Sequence, residues 1–124
     1  MSTYFTVEQA NAALVLIRPL MGQLLEIRQA ILSKQPDLEP MLQKALGNGG
    51  SSLASEVAME VAEMQDLILQ IRSTGALFKD LSSGLVDFLS KREGRDIYLC
   101  WRFGEDGVRY WHEVDGGFAG RQPI

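Results

Sequence analysis

The spacing of apolar residues changes once along this chain, near Gly84, and that change limits what the chain can fold into. Before Gly84, apolar residues recur every three or four positions, as on one face of an α-helix; after it they alternate, as on a half-buried strand. A chain of 124 residues can bury one core without disulfides or metal. The sequence therefore predicts one α+β domain, residues 1–124, with a helical half at 1–75 and a β half at 84–124.

The helical half is predicted to contain two long helices. The first begins at Thr6, whose spacing to Gln9 fits a capping box, and its apolar pattern fades near Gln35. Pro19 lies inside this helix, where the missing N–H should produce a kink or a short break. The second long helix is predicted over residues 53–74. It carries a strict a/d seam of apolar residues: Val57, Val61, Met64, Ile68 and Ile71.

A short helix at 38–46 and a glycine-rich loop at 47–52 are predicted between the long helices. The loop has no apolar anchor, so we expect it to be mobile. Two long helices joined in this way should pack as an antiparallel hairpin, with Gly75 capping the second helix. The first helix is apolar over more than one stripe, so the hairpin has more apolar surface than one sheet can cover. We therefore expect self-association through the helices, most simply as a homodimer.

The β half is predicted to be a small three-stranded antiparallel meander, packed against the helical hairpin and followed by a C-terminal loop. The alternation of apolar residues places a turn at 90–94. The strands are predicted at 84–89, 95–103 and 108–114.

The register of the last hairpin follows from its expected turn. Asp106-Gly107 is a preferred dipeptide for a two-residue type I′ turn. With that turn, Trp101 pairs with His112, and a four-residue loop would keep both side chains on the same face. Only a loop of odd length would place the two rings on opposite faces of the sheet.

Several motifs of the C-terminal half resemble one known family. They are KDL-x-x-GLVDF from Lys79 to Phe88, then YLCWRFGE, then YWHEVD-x-GFAGRQPI, and the N-terminal FTVEQANAAL is similar as well. Together they resemble, over nearly the whole chain, an uncharacterised bacterial family named domain of unknown function 2203. Leu89 stands where members of that family often have proline. The resemblance implies no activity, cofactor or catalytic residue.

Charge and composition argue against several classes of protein. The net charge is −4, with 12 basic against 16 acidic residues, whereas a nucleic-acid-binding protein needs a basic face. One cysteine cannot form an intramolecular disulfide, which suits a reducing cytosol. The apolar stretch at 12–25 is broken by Arg18 and Pro19, so we expect neither a signal peptide nor a membrane span. The sequence thus predicts a soluble cytoplasmic protein.

The chain contains one histidine, His112, and one cysteine, Cys100. His112 could be a general base, a metal ligand, a donor to a bound molecule, or a packed histidine with one structural hydrogen bond. The predicted register places Cys100 and His112 on opposite faces, which argues against a Cys-His dyad or a shared metal site. No metal and no cofactor are therefore predicted. The candidate ligand-binding residues are Trp101, Tyr110, His112, Asp115 and Arg121.

Two functions are compatible with these features. One is a non-catalytic interaction or dimerising module, whose helices bind a second copy or a protein partner. The alternative is a small-molecule binding protein or an enzyme, with a pocket around Trp101, Tyr110, His112 and Arg121. The sequence contains no complete catalytic triad, metal motif or phosphate-binding loop, which favours the first function and leaves open whether the chain is an enzyme.

Overall fold

The computed structural model describes residues 3–48 and 57–124, which form an α+β fold. An antiparallel five-stranded sheet follows the helices, and its strands lie side by side in the order in which they occur along the chain. The helices are α1 (Val7–Lys34), α2 (Glu39–Asn48) and α3 (Ala58–Ser73), with short 3₁₀ helices at Pro36–Leu38 and Phe118–Gly120. The strands are β1 (Leu77–Asp80), β2 (Leu85–Arg92), β3 (Arg95–Arg102), β4 (Tyr110–Glu113) and β5 (Gln122–Pro123).

The capping box predicted for α1 is confirmed. The Thr6 hydroxyl accepts from the Gln9 amide at 3.1 Å, and the Gln9 side chain accepts from the Thr6 amide at 2.9 Å. The short break suggested at Pro19 is wrong, because the helix continues through that position. Pro19 lies on an exposed part of the helix, so water can satisfy the Val15 carbonyl that has lost its intrahelical donor.

The two long helices run antiparallel. Leu16 and Gln23 of α1 share a groove with Gln70 near the end of α3, whereas Ile31 near the end of α1 lies close to Glu60 near the start of α3. The predicted seam of α3 is confirmed, since all five of its residues are buried. Gly75 has the left-handed conformation (φ 99°) expected of a C-terminal cap.

The connection between the long helices differs from a simple hairpin loop. It contains the 3₁₀ turn and α2, and α2 is tied to α1 by an ion pair between Arg28 and Glu39. Positions 47 and 48 of the predicted mobile loop belong to the last turn of α2. Positions 49–52 of that loop, and 53–56 of the predicted second helix, lie outside the described residues.

The sheet is larger than the predicted meander, with five strands in place of three. β1 and β5 were not predicted; β5 has only two residues, one of them proline, so it carries no alternation. β2 extends to Arg92, which pairs with Arg95, so the turn predicted at 90–94 is shorter than expected. The turn consists of two residues, Glu93 (φ 54°) and Gly94 (φ 79°), both left-handed as in a type I′ hairpin.

The register predicted for the last hairpin is also wrong. His112 pairs with Tyr98, and Trp111 pairs with Leu99. The strands are joined by seven residues, Phe103–Arg109, and this odd length reverses the predicted faces. Trp101 and His112 therefore lie on opposite faces of the sheet.

The shape of this connection is set by contacts with α1. The side chain of Asn11 accepts from the Val108 amide at 2.9 Å, and Arg18 donates to the Asp106 carbonyl at 3.1 Å. Gly107 does not have the positive φ that a type I′ turn requires. The segment therefore forms an open loop bound to the helix, and the dipeptide at its centre does not fix the pairing of the strands.

One face of the sheet packs against the helices and forms the core with them. On this face the Arg18 guanidinium of α1 lies 5.9 Å from the centre of the Trp101 ring. Phe5 packs edge-on against Phe88 at 5.0 Å, and its amide donates to the Leu89 carbonyl at 2.7 Å. The buried residues that the sheet contributes to this core include Val86, Phe88, Ile97, Leu99, Trp101 and Trp111.

Candidate functional site

Three neighbouring strands each contribute one buried polar side chain to the sheet face opposite the helices. They are Asp87 of β2, Cys100 of β3 and His112 of β4. Asp87 pairs directly with Cys100, while His112 pairs with Tyr98 and reaches the other two residues diagonally. A carboxylate oxygen, the Sγ atom and a ring nitrogen all lie within 4.8 Å of one another. The strands thus assemble a compact cluster from residues far apart in sequence.

The hydrogen bonds of His112 define where its protons lie. Nδ1 is 2.7 Å from the Glu113 carbonyl, which can only accept, so Nδ1 carries a hydrogen. Nε2 is 3.1 Å from Oδ2 of Asp87. A hydrogen bond at that distance requires one proton, held either by the imidazole or by the carboxyl group. The two side chains therefore form a buried pair that shares one proton.

Cys100 is fully buried, and this controls the state of its thiol. Burial raises the pKa of Cys100 to about 12, and the neighbouring carboxylate of Asp87 adds to the rise, while Arg121 opposes it. The group is therefore a neutral thiol at physiological pH. A catalytic cysteine needs a lowered pKa to supply a thiolate, so this environment does not activate Cys100 as a nucleophile.

Asp87 carries the least satisfied atom of the cluster. Its side chain is 4% exposed, and Oδ1 has no hydrogen-bond partner among the described residues. Leaving a buried acceptor unpaired costs about 1–3 kcal/mol, so this atom is a source of instability in the sheet. This oxygen belongs to the carboxylate that contacts His112 and whose residue pairs with Cys100, so it is available to a cation or a donor that enters the cluster.

Arg121 holds the C-terminal segment near this cluster. Its guanidinium donates to Oε1 of Glu105 at 2.6 Å and to the carbonyl oxygen of Cys100 at 3.4 Å. It also lies 4.2 Å from the Tyr110 ring centre and 4.5 Å from that of Phe118. Burial would raise the pKa of Glu105, but hydrogen bonds from Arg121 and the Arg102 amide hold it below its usual range.

The predicted ligand-binding residues are only partly brought together. Tyr110, His112 and Arg121 lie on the cluster face or beside it, whereas Trp101 is buried in the core and donates from Nε1 to the Glu105 carbonyl at 3.0 Å. Asp115 is exposed. The single pocket predicted around Trp101 and His112 is thus wrong in its geometry, because the odd-length connection places them on opposite faces.

A buried imidazole should have a hydrogen-bond partner, and the candidates were Arg121, a nearby carboxylate such as Asp115 or Glu105, and a backbone carbonyl. The structure has a backbone carbonyl, that of Glu113, and a carboxylate, that of Asp87, which was not among the residues named. The sequence signal for Asp87 was a carboxylate between two apolar residues, Val86 and Phe88, in a buried strand. The expectation that Cys100 and His112 face opposite sides is wrong for the same reason as the register.

These features define a class of protein: an α+β chain whose antiparallel sheet carries a buried Asp-Cys-His cluster on the face away from its helices. The chain belongs to the family of uncharacterised conserved proteins designated domain of unknown function 2203, whose family model matches residues 3–124. This confirms the resemblance carried by the GLVDF and YWHEVD motifs. No curated protein and no solved structure matches the chain at a significant level of similarity.

Proposed function

We propose that the protein is a non-catalytic module that self-associates through its helical layer. The observation that carries this proposal is an apolar row on the outward side of α1, at the spacing i, i+3, i+4 and i+7. Val15 and Leu16 in this row are 72% and 61% exposed, values that are high for large apolar side chains on one helix face. The row consists of Ala12, Val15, Leu16 and Pro19, all of them exposed.

The surface next to this row has the form of a docking groove. Leu16, Pro19 and Leu20 of α1 form its apolar wall, and Gln70 and Ser73 of α3 form a polar wall. On α3, Leu69 precedes the groove residue Gln70 in sequence and is 61% exposed. A two-fold axis near the groove would place the apolar row of one copy against that of the other, which is the self-complementary contact of a cyclic dimer.

A lipid surface is a different way to cover the same row. By length and composition alone, α1 is long and apolar enough to cross a membrane. The opposite side of α1, however, supplies Leu14, Ile17, Met21 and Leu24 to the protein core. A helix that spans a bilayer would have to give up those contacts, whereas a second copy packed against the exposed row would leave them in place.

The buried cluster supports the non-catalytic part of the proposal. A thiol with a pKa of about 12 does not supply a thiolate at neutral pH, and its partner His112 is engaged by Asp87 and a backbone carbonyl. The alternative of an enzyme that uses Cys100 as nucleophile therefore has less support than self-association.

Sedimentation equilibrium of the tag-free chain tests the proposal. We expect the unaltered chain to sediment as a dimer at micromolar concentration, and Leu16→Glu to sediment as a monomer because a charge would be buried in the interface. Gln29→Glu, which adds the same charge at an exposed position of α1 outside the row, is the matched control and should remain dimeric. A monomeric mass for the unaltered chain at tens of micromolar would contradict self-association.

A further inference from the structure

We infer that Asp87, Cys100 and His112 form a binding site for one divalent transition-metal ion of the zinc class. The site would be formed by one oxygen, one sulfur and one nitrogen donor from three adjacent strands, all within 4.8 Å of one another. Donors bound to one tetrahedral ion at about 2.0–2.3 Å lie roughly 3.3–3.8 Å apart, so the three side chains would move slightly closer together when the ion binds. The inference is independent of self-association, because the cluster and the apolar row of α1 lie on different elements.

The types of donor identify the class of ion. Mg²⁺ and Ca²⁺ prefer sets of oxygen ligands, whereas a thiolate and an imidazole favour zinc and related borderline metals. Three protein ligands leave one tetrahedral position, which a water molecule or the second oxygen of Asp87 could fill. We therefore expect Zn²⁺ to bind, Co²⁺ to bind as its spectroscopic substitute, and Mg²⁺ not to compete.

Two further observations support a metal site over a merely structural cluster. Oδ1 of Asp87 is buried and has no hydrogen-bond partner among the described residues, so the carboxylate of this cluster has an unused acceptor. The Nδ1–H of His112 donates to the Glu113 carbonyl, which holds the ring and leaves Nε2 toward the cluster. In metal-binding histidines, the ring nitrogen that does not bind the metal commonly donates such a hydrogen bond, which fixes the tautomer and the orientation of the ring.

Charge and proton balance also fit a divalent ion. The charges of a divalent ion, a Cys100 thiolate and an Asp87 carboxylate sum to zero, and His112 binds as a neutral imidazole. The metal-bound site would therefore bury no uncompensated charge, which avoids a large energetic cost. The Cys100 thiol must lose its proton to become a ligand, so binding should release protons.

Cobalt titration of the tag-free protein is the test, since its only cysteine and only histidine are both in the site. The protein is refolded in the presence of Co²⁺, so that burial of the site does not prevent loading, and unbound metal is removed by desalting. We expect one Co²⁺ per chain, a thiolate-to-cobalt charge-transfer band, the visible bands of a tetrahedral ion, and displacement of the cobalt by Zn²⁺. Affinity should rise with pH because binding releases protons.

Three variants separate metal binding from folding. Cys100→Ser and Asp87→Asn preserve side-chain size. Loss of an outer hydrogen-bond partner of a metal ligand weakens binding by about 10–100-fold, and loss of a ligand should weaken it by more than that. Asp115→Asn, at the exposed carboxylate three positions after His112, is the control and should bind as the unaltered chain does. Absence of bound metal in the refolded unaltered chain, or undiminished binding by a correctly folded Cys100→Ser, would overturn the inference.

Discussion

Oδ2 of Asp87 lies 3.1 Å from Nε2 of His112, although the two residues belong to strands that are separated by β3. This contact crosses the central strand at Cys100, and it exists only because His112 pairs with Tyr98. A shift of one residue in that pairing would turn the imidazole toward the helices and leave the carboxylate alone. The register of one hairpin thus determines whether the chain has a polar cluster on its sheet.

The first prediction concerns the stability of this pair. His112→Leu should lower the free energy of unfolding by about 3–5 kcal/mol, because it leaves the Asp87 carboxylate buried without its partner. Adding Asp87→Asn to that variant should restore part of the loss, since it removes the unpaired charge. Urea unfolding of both single variants and the double variant measures the coupling. Strictly additive losses would show that the two side chains do not interact.

The second prediction concerns the Cys100 thiol. Its pKa is raised by burial, from 9.0 to about 12, so the folded state binds the proton more tightly than the unfolded state. The resulting stability should be complete below pH 9.0 and should be lost as pH rises from there to about 12. Cys100→Ala lacks this group, so its unfolding free energy should fall less over that interval. Chemical unfolding at a series of pH values compares the two chains, and parallel curves would contradict the prediction.

The third prediction concerns the ion pair at the C-terminal segment. Hydrogen bonds from Arg121 and the Arg102 amide hold the pKa of Glu105 below its ordinary value of 4.5, despite burial. The stability from this group is present above pH 4.5 and is lost as pH falls through the lowered pKa. Glu105→Gln should therefore melt at a lower temperature than the unaltered chain at pH 7, and the difference should shrink at pH 3. Glu63→Gln, at an exposed position of α3, should show no such dependence.

The fourth prediction concerns two left-handed glycines. A methyl group at Gly84 (φ 68°) would lie 2.8 Å from Cβ of Phe103, whereas one at Gly94 (φ 79°) meets nothing within 4 Å. Gly94→Ala should lower the free energy of unfolding by about 1–2 kcal/mol, the cost of a left-handed backbone for a residue with a Cβ atom. Gly84→Ala should lower it further, because the methyl group also clashes with Phe103. If urea unfolding gave the same loss of stability for both variants, the segment around Phe103 would have moved to accommodate the methyl group, and the prediction would be wrong.

The helical half could be predicted largely from its sequence, because its determinants are local. The Thr6 capping box and the apolar spacing from Val57 to Ile71 each depend on residues within one helix, and both are confirmed. The alternation from Asp96 to Phe103 predicted a strand at 95–103, and the structure has β3 at Arg95–Arg102. Such patterns depend on the geometry of a single element, which is why one sequence is enough to recognise them.

The candidate site could not be predicted, because its determinants are tertiary. Asp106-Gly107 favours a two-residue turn when only local sequence is considered. In the folded chain, hydrogen bonds to the side chains of Asn11 and Arg18 hold this segment against α1. The segment forms a connection of odd length. His112 therefore pairs with Tyr98 in place of Trp101, and this odd shift of three residues reversed the faces of β4. It also concealed the meeting of Asp87 with His112, which no local pattern could reveal.

The most direct test of the account is a set of NMR cross-relaxation measurements from the His112 ring. The chain has one histidine, so its ring protons can be assigned without ambiguity. We expect cross-peaks from these protons to the Cys100 β-protons and to the Tyr98 ring, which lies 5.7 Å from the imidazole between ring centres. We expect none to the Trp101 indole. Cross-peaks to Trp101 in place of Cys100 would contradict the register, and with it the cluster and the metal site built on it.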